Sequence, residues 1–157
     1  MEKIARASTA RQIAGFIAKF DPIMARLIRS VRKALRKRFP TANELVYDNY
    51  NFFVIGYGTT ERASDCIVSM AAAANGVGLA FPYCGTRLPD PHHLLQGSGN
   101  QNRFIRVPSA ATLAQPEVEK LLQAAEKLAK TPLAASGRGS TIIKSVSVKQ
   151  RPRRKRA

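Results

Sequence analysis

Residues with chemical reach concentrate in one stretch, VGLAFPYCGTRLPDPHHLLQGSGNQNRFIRV, residues 77–107. Cys84, Asp90, His92 and His93 offer a thiol, a carboxylate and two imidazoles, the donor types that suit zinc or iron. Their spacing argues the other way, because adjacent histidines in a loop point apart and no Cys-x-x-Cys or His-x-x-x-His pair completes four ligands. Cys84 with His92 or His93 as base is a conceivable nucleophile, but no Gly-x-Ser-x-Gly elbow or orienting acid accompanies it. Gly97 and Gly99 bracket a run that resembles a phosphate cradle. It leads into a strand, with no helix N-terminus and no Lys-Ser/Thr pair, so the glycines are read as turn residues with positive φ. Arg87 or Arg103 would fix an anionic group in a pocket beneath this excursion. Catalytic residues are therefore expected to be absent, and the ligand loop consists of Arg87, Asp90, Gly97, Gly99 and Arg103.

The elements that position this loop follow from periodicity. Thr9 and Gln12 have capping-box spacing, and Ile13, Phe16, Ile17 and Phe20 then recur as one helical stripe. Asp21-Pro22 is expected to cap and open a second helix, which runs to about Arg38 before Pro40. From Glu44 the period changes to two. ELVYD and FFVIGY read as a hairpin, DCIVSMAA as a third strand, and Asn75-Gly76 as the turn into Val77 to Phe81. Arg103 to Val107 makes a fifth strand. Pro116 opens a final helix with Glu117 and Glu119 at its start and Lys127 and Lys130 at its end, which matches the helix dipole. Helix stripes of this kind bury against one face of such a sheet. The predicted fold is α+β, two-layer, with an antiparallel sheet of about five strands, two N-terminal helices and one C-terminal helix.

Charge supplies the remaining signal. The 157 residues carry 26 basic and 10 acidic side chains, a net charge of +16 that favours polyanionic partners. Residues 127–157 hold ten of the basic and none of the acidic side chains. On the second helix, Arg26, Arg29, Lys33, Arg36 and Lys37 gather opposite the apolar stripe, either as a solvated face or as a phosphate-contacting one. Residues 1–132 form the expected domain. Residues 133–157 read as a linker, with a possible short strand over Thr141 to Val148, and a basic tail expected to be disordered at its end. The polyanion-binding set is then Arg29, Lys33, Arg36 and Lys37 on the helix, with Arg151, Arg153, Arg154, Lys155 and Arg156 in the tail. Two cysteines make no disulfide framework, no run approaches a membrane span, and the N-terminus lacks a signal-peptide core, so a cytoplasmic location is expected.

The order of two helices, the Pro40 break, the ELVYDNYNFF hairpin and the residue 77–107 stretch resembles the YdhG-like family, a domain family of unknown function. Asp90, Leu94, Leu95, Gly97, Gly99 and Arg103 occupy that family's loop pattern, and the resemblance covers residues 10–130. Some members are described as frataxin-like iron-binding proteins. The resemblance thus implies iron as an alternative cofactor, with an iron-chaperone role. With only ten acids in the chain, clustered carboxylates for such a site are scarce. The leading expectation is a binding protein without a cofactor, whose partner is nucleic acid or another polyanion.

Overall fold

A computed structural model describes residues 2–155, with side chains from residue 6 onward. Two helices, α1 (Glu2–Ala18) and α2 (Pro22–Arg38), precede strands β1 (Asn43–Asp48), β2 (Phe53–Gly58), β3 (Cys66–Ala73), β4 (Gly76–Phe81) and β5 (Arg103–Arg106). Helix α3 (Pro116–Lys127) and strand β6 (Thr141–Val146) follow. The α+β expectation holds. The sheet has six strands rather than five, ordered β5-β4-β3-β2-β1-β6, and β6 lies parallel to β1 while every other pair is antiparallel. Residues beyond 132 thus contribute a strand to the same sheet.

Pairing register decides which side chains face the helices. Val46, Ile55, Met70 and Leu79 lie side by side across β1 to β4, as do Asp48, Phe53, Ala72 and Val77 one step along. Phe16 and Phe20 of the first helical segment meet Phe53 with ring centroids 6.1 and 6.3 Å apart, and this fixes the face. Onto it α2 brings Ala25, Ile28, Val31 and Leu35, and α3 brings Val118, Leu121, Leu122 and Ala125, all buried. Burial of each large apolar side chain contributes roughly 1.5–3 kcal/mol, so these stripes dominate the fold's stability. Arg38 links the two helices through ion pairs to Glu119 at 2.9 Å and Glu126 at 3.5 Å.

Two helix starts differ from expectation. Helix α1 begins at Glu2 rather than near Thr9, since Ala7, Ala10 and Arg11 are strong helix formers and carry the helix through Ser8 and Thr9 without a cap. Asp21 precedes α2, but its side chain makes no capping hydrogen bond. Its carboxylate instead faces Arg154 at 3.8 Å.

Candidate polyanion-binding groove

The basic face of α2 lies beside a segment that composition marks as linker. Gly139 donates its backbone N–H to the Pro40 carbonyl at 3.2 Å, and Ser140 donates its own to Asn43 Oδ1 at 2.9 Å. A side chain at Gly139 would run into the Ala42 carbonyl, so only glycine permits this approach. The docking carries Arg138 alongside α2. Two adjoining hollows, of about 670 and 470 Å³, share Arg32, Arg36, Arg138, Gly139 and Thr141 as walls. Together they form one groove in which, among the described residues, seven cationic residues, Arg6, Arg29, Arg32, Lys33, Arg36, Lys37 and Arg138, stand against a single acid, Glu44.

Glu44 sits at the base of this groove, 3 % exposed. Arg32 grips it with two hydrogen bonds of 2.9 and 3.0 Å, while Tyr57 Oη donates at 2.9 Å and Thr141 Oγ1 at 2.8 Å. Arg36 adds an ion pair at 3.6 Å. Burial pushes the carboxyl's pKa up, but the hydrogen bonds and charge of Arg32, with those of Thr141 and Tyr57, outweigh it and leave the group below its usual value. Burial, followed by the Glu44 charge, pushes the Tyr57 hydroxyl well up, so it stays a donor. The carboxylate therefore holds Arg32 in place and neutralises part of the local charge. Among the described residues, Arg29, Lys33, Lys37 and Arg138 face solvent with no acidic partner. An array of this kind can donate charge-assisted hydrogen bonds to phosphate oxygens.

No protein-family model, curated protein or solved structure matches the chain. The groove is accordingly interpreted from its own chemistry. Of the helix residues expected to contact a polyanion, Arg29, Lys33, Arg36 and Lys37 are all brought together. Arg6, Arg32 and Arg138 also line the groove and were missed at the level of sequence; Arg138 stands apart in a Gly/Ser run, and only its docking gives it neighbours.

The tail departs from expectation. It folds back on the β1–β2 turn, and Arg153 is buried, 5 % exposed, donating Nη2 to Asp48 at 2.9 Å and to the Asn49 carbonyl. Asp48 also accepts from Lys19 Nζ at 2.7 Å, and Gln150 bonds the Asp48 carbonyl at 2.9 Å. Burial raises the Asp48 pKa, and the bonds from Lys19, Gln150 and Arg153 more than reverse that, leaving it lowered. Arg153 is thus an internal ion-pair partner and is removed from the polyanion-binding set. Arg151 lies 5.8 Å from the Tyr50 ring, and Arg154 bonds the Lys19 carbonyl at 3.3 Å. Expected disorder gives way to a held segment through Lys155, of which Arg151, Arg154 and Lys155 are exposed and none lines the groove. Arg156 lies outside the described residues.

The residue 82–102 excursion is organised by its own side chains. Both Asp90 oxygens are taken by the backbone N–H groups of Leu94 and Leu95, at 2.8 and 2.9 Å. Arg103 donates Nη1 to the carbonyls of Gly99 at 2.6 Å and Asn102 at 2.7 Å. Gly97 has φ of 116°, as a turn glycine should, but Gly99 does not adopt the positive φ expected of it. His92 and His93 are exposed, and among the described residues no three His, Cys, Asp or Glu side chains gather as a metal site. Cys84, Asp90, His92 and His93 consequently do not form a donor set. Of the expected ligand-loop residues, Arg87 lines a cavity, together with Tyr83, Gln101 and the buried Cys66 and Cys84. Burial, then the Asp65 charge, pushes the Cys66 thiol up to about 12, and burial raises Cys84 as well, so both stay protonated and poorly nucleophilic.

Proposed function

We propose that this chain is a polyanion-binding protein that engages nucleic acid through the groove between α2 and the Arg138 segment, without catalysis. One observation carries the reading: among the described residues, seven cations line a continuous groove whose one carboxylate, Glu44, is buried and already hydrogen-bonded. Exposed cations without acidic neighbours gain most from replacing condensed counterions on a phosphate backbone. The reading is sequence-independent binding, because the groove offers donors to phosphates and few aromatic side chains on which bases would stack. In the same proposal the chain is grouped with YdhG-like proteins on its residue 90–103 pattern.

The test is fluorescence anisotropy of labelled mixed-sequence duplex DNA titrated with the full chain at several salt concentrations. Each phosphate neutralised contributes about −0.9 to the slope of log affinity against log salt, so four to six engaged cations give a slope of about −4 to −5. Affinity that is absent, or insensitive to salt, rejects the proposal.

A further inference from the structure

A cavity of about 300 Å³ opens between the start of β3, the Tyr83–Arg87 turn and the end of α3. None of its lining residues belongs to the basic groove. Its volume is at the small end for ligand pockets and holds roughly ten water-sized groups. Cys66, Ile67, Cys84 and Ala125 are buried and make an apolar floor. The rim is different. Arg87 and Lys130 are exposed there and have no ion-pair partner among the described residues, while Tyr83 and Leu128 are two of the few large apolar side chains that remain exposed. Thr59 also lines this cavity, and its buried hydroxyl has no protein partner among the described residues.

Charge narrows the ligand class. Asp65, Arg87 and Lys130 are the charged lining residues, a net charge of +1, and the Asp65 carboxylate already accepts from Thr60 Oγ1 at 2.7 Å. The C-terminal end of α3, with its partial negative charge, faces the same space and disfavours a dianion. We propose that this cavity binds a small monocarboxylate with a short apolar body, seated on Cys66, Ile67, Cys84 and Ala125, with its carboxylate held at the rim by Arg87 and Lys130. Binding is non-covalent, which fits thiols that stay protonated. This site acts independently of the nucleic-acid reading.

Titration of the ¹⁵N-labelled full chain with butyrate, benzoate and inorganic phosphate, followed by amide shifts, decides the matter. Expected are saturable shifts at Thr59, Cys66, Tyr83 and Arg87 with butyrate or benzoate but not with phosphate. Arg87→Ala should weaken them about tenfold or more, the loss of one charge-assisted hydrogen bond. Ala125→Leu, which fills the floor, should abolish them. The exposed position of Arg87 makes its variant a fair test even if Ala125→Leu does not fold. No saturable shift at these amides, shifts confined to α2, phosphate binding as tight as carboxylate, or unchanged affinity in Arg87→Ala would each overturn the proposal.

Discussion

Helix α2 and the C-terminal tail carry similar runs of Arg and Lys, yet the fold uses them in opposite ways. Along α2, one buried acid, Glu44, is shared by Arg32 and Arg36, Arg38 turns to Glu119 and Glu126 of α3, and Arg29, Lys33 and Lys37 are left to solvent. In the tail, one buried acid, Asp48, draws in Arg153 and, with Gln150, pins the segment against the β1–β2 turn. In this fold a cluster of positive charge stays an exposed cationic surface or becomes a structural latch according to where the few carboxylates are buried. Charge counts along the chain do not separate the two outcomes.

The largest expected effect lies in the latch. Asp48→Ala leaves the Arg153 guanidinium buried without its partner, and breaking a buried pair in this way costs about 3–5 kcal/mol. Urea unfolding of this variant should show a lower midpoint at unchanged slope. Arg153→Ala is milder at about 2 kcal/mol, since Lys19 still holds Asp48. A loss below about 0.5 kcal/mol in both variants would make the tail as dispensable as its composition suggests.

Acid stability sharpens the same comparison. Asp48 and Glu44 both have folded-state pKa values below those of the unfolded chain, so each contributes stability that is fully present above about pH 4 and is lost as pH falls through the lowered folded value. Urea midpoints measured between neutral and acid pH should fall most steeply below about pH 4, and Asp48→Asn should flatten that fall. Stability independent of pH in this range would mean that neither carboxylate is paired in solution.

Gly139→Ala addresses the groove. The added methyl meets the Ala42 carbonyl, which should cost about 1–3 kcal/mol and move Arg138 away from α2. DNA affinity should drop with it, and anisotropy together with thermal melting measures both. Smallest in stability are Arg29→Ala and Lys33→Ala, each within about 0.5 kcal/mol because these side chains are exposed.

Much of the fold was legible from periodicity, and the reasons are local. Met24, Leu27, Ile28, Val31 and Leu35 share one helical face, and the β3–β4 turn falls on Ala74-Asn75, one residue before the expected Asn75-Gly76, with Gly76 already paired to Ala73. What escaped depended on partners distant in the chain. Strand β6 is short and half polar, and its place is set by parallel pairing with β1, about a hundred residues earlier. Arg153 reads as one more tail charge until Asp48 is brought beside it. In the candidate groove, Arg29, Lys33, Arg36 and Lys37 could be seen from their spacing, whereas Arg32 needed Glu44 beside it and Arg138 required the Gly139 contact. Asp90 was legible as a loop residue, but its use as acceptor for Leu94 and Leu95 depends on the turn around His93, whose φ is 52°.

The most direct measurement removes equal charge from each region and compares the salt dependence of duplex binding. Arg29→Ala/Lys33→Ala/Lys37→Ala removes three groove cations, and Arg151→Ala/Arg154→Ala/Lys155→Ala removes three from the tail. The groove variant should lose about 2.7 from the magnitude of the slope while the tail variant keeps most of its own. A slope that collapses in the tail variant and persists in the groove variant would contradict the assignment of binding to α2 and Arg138.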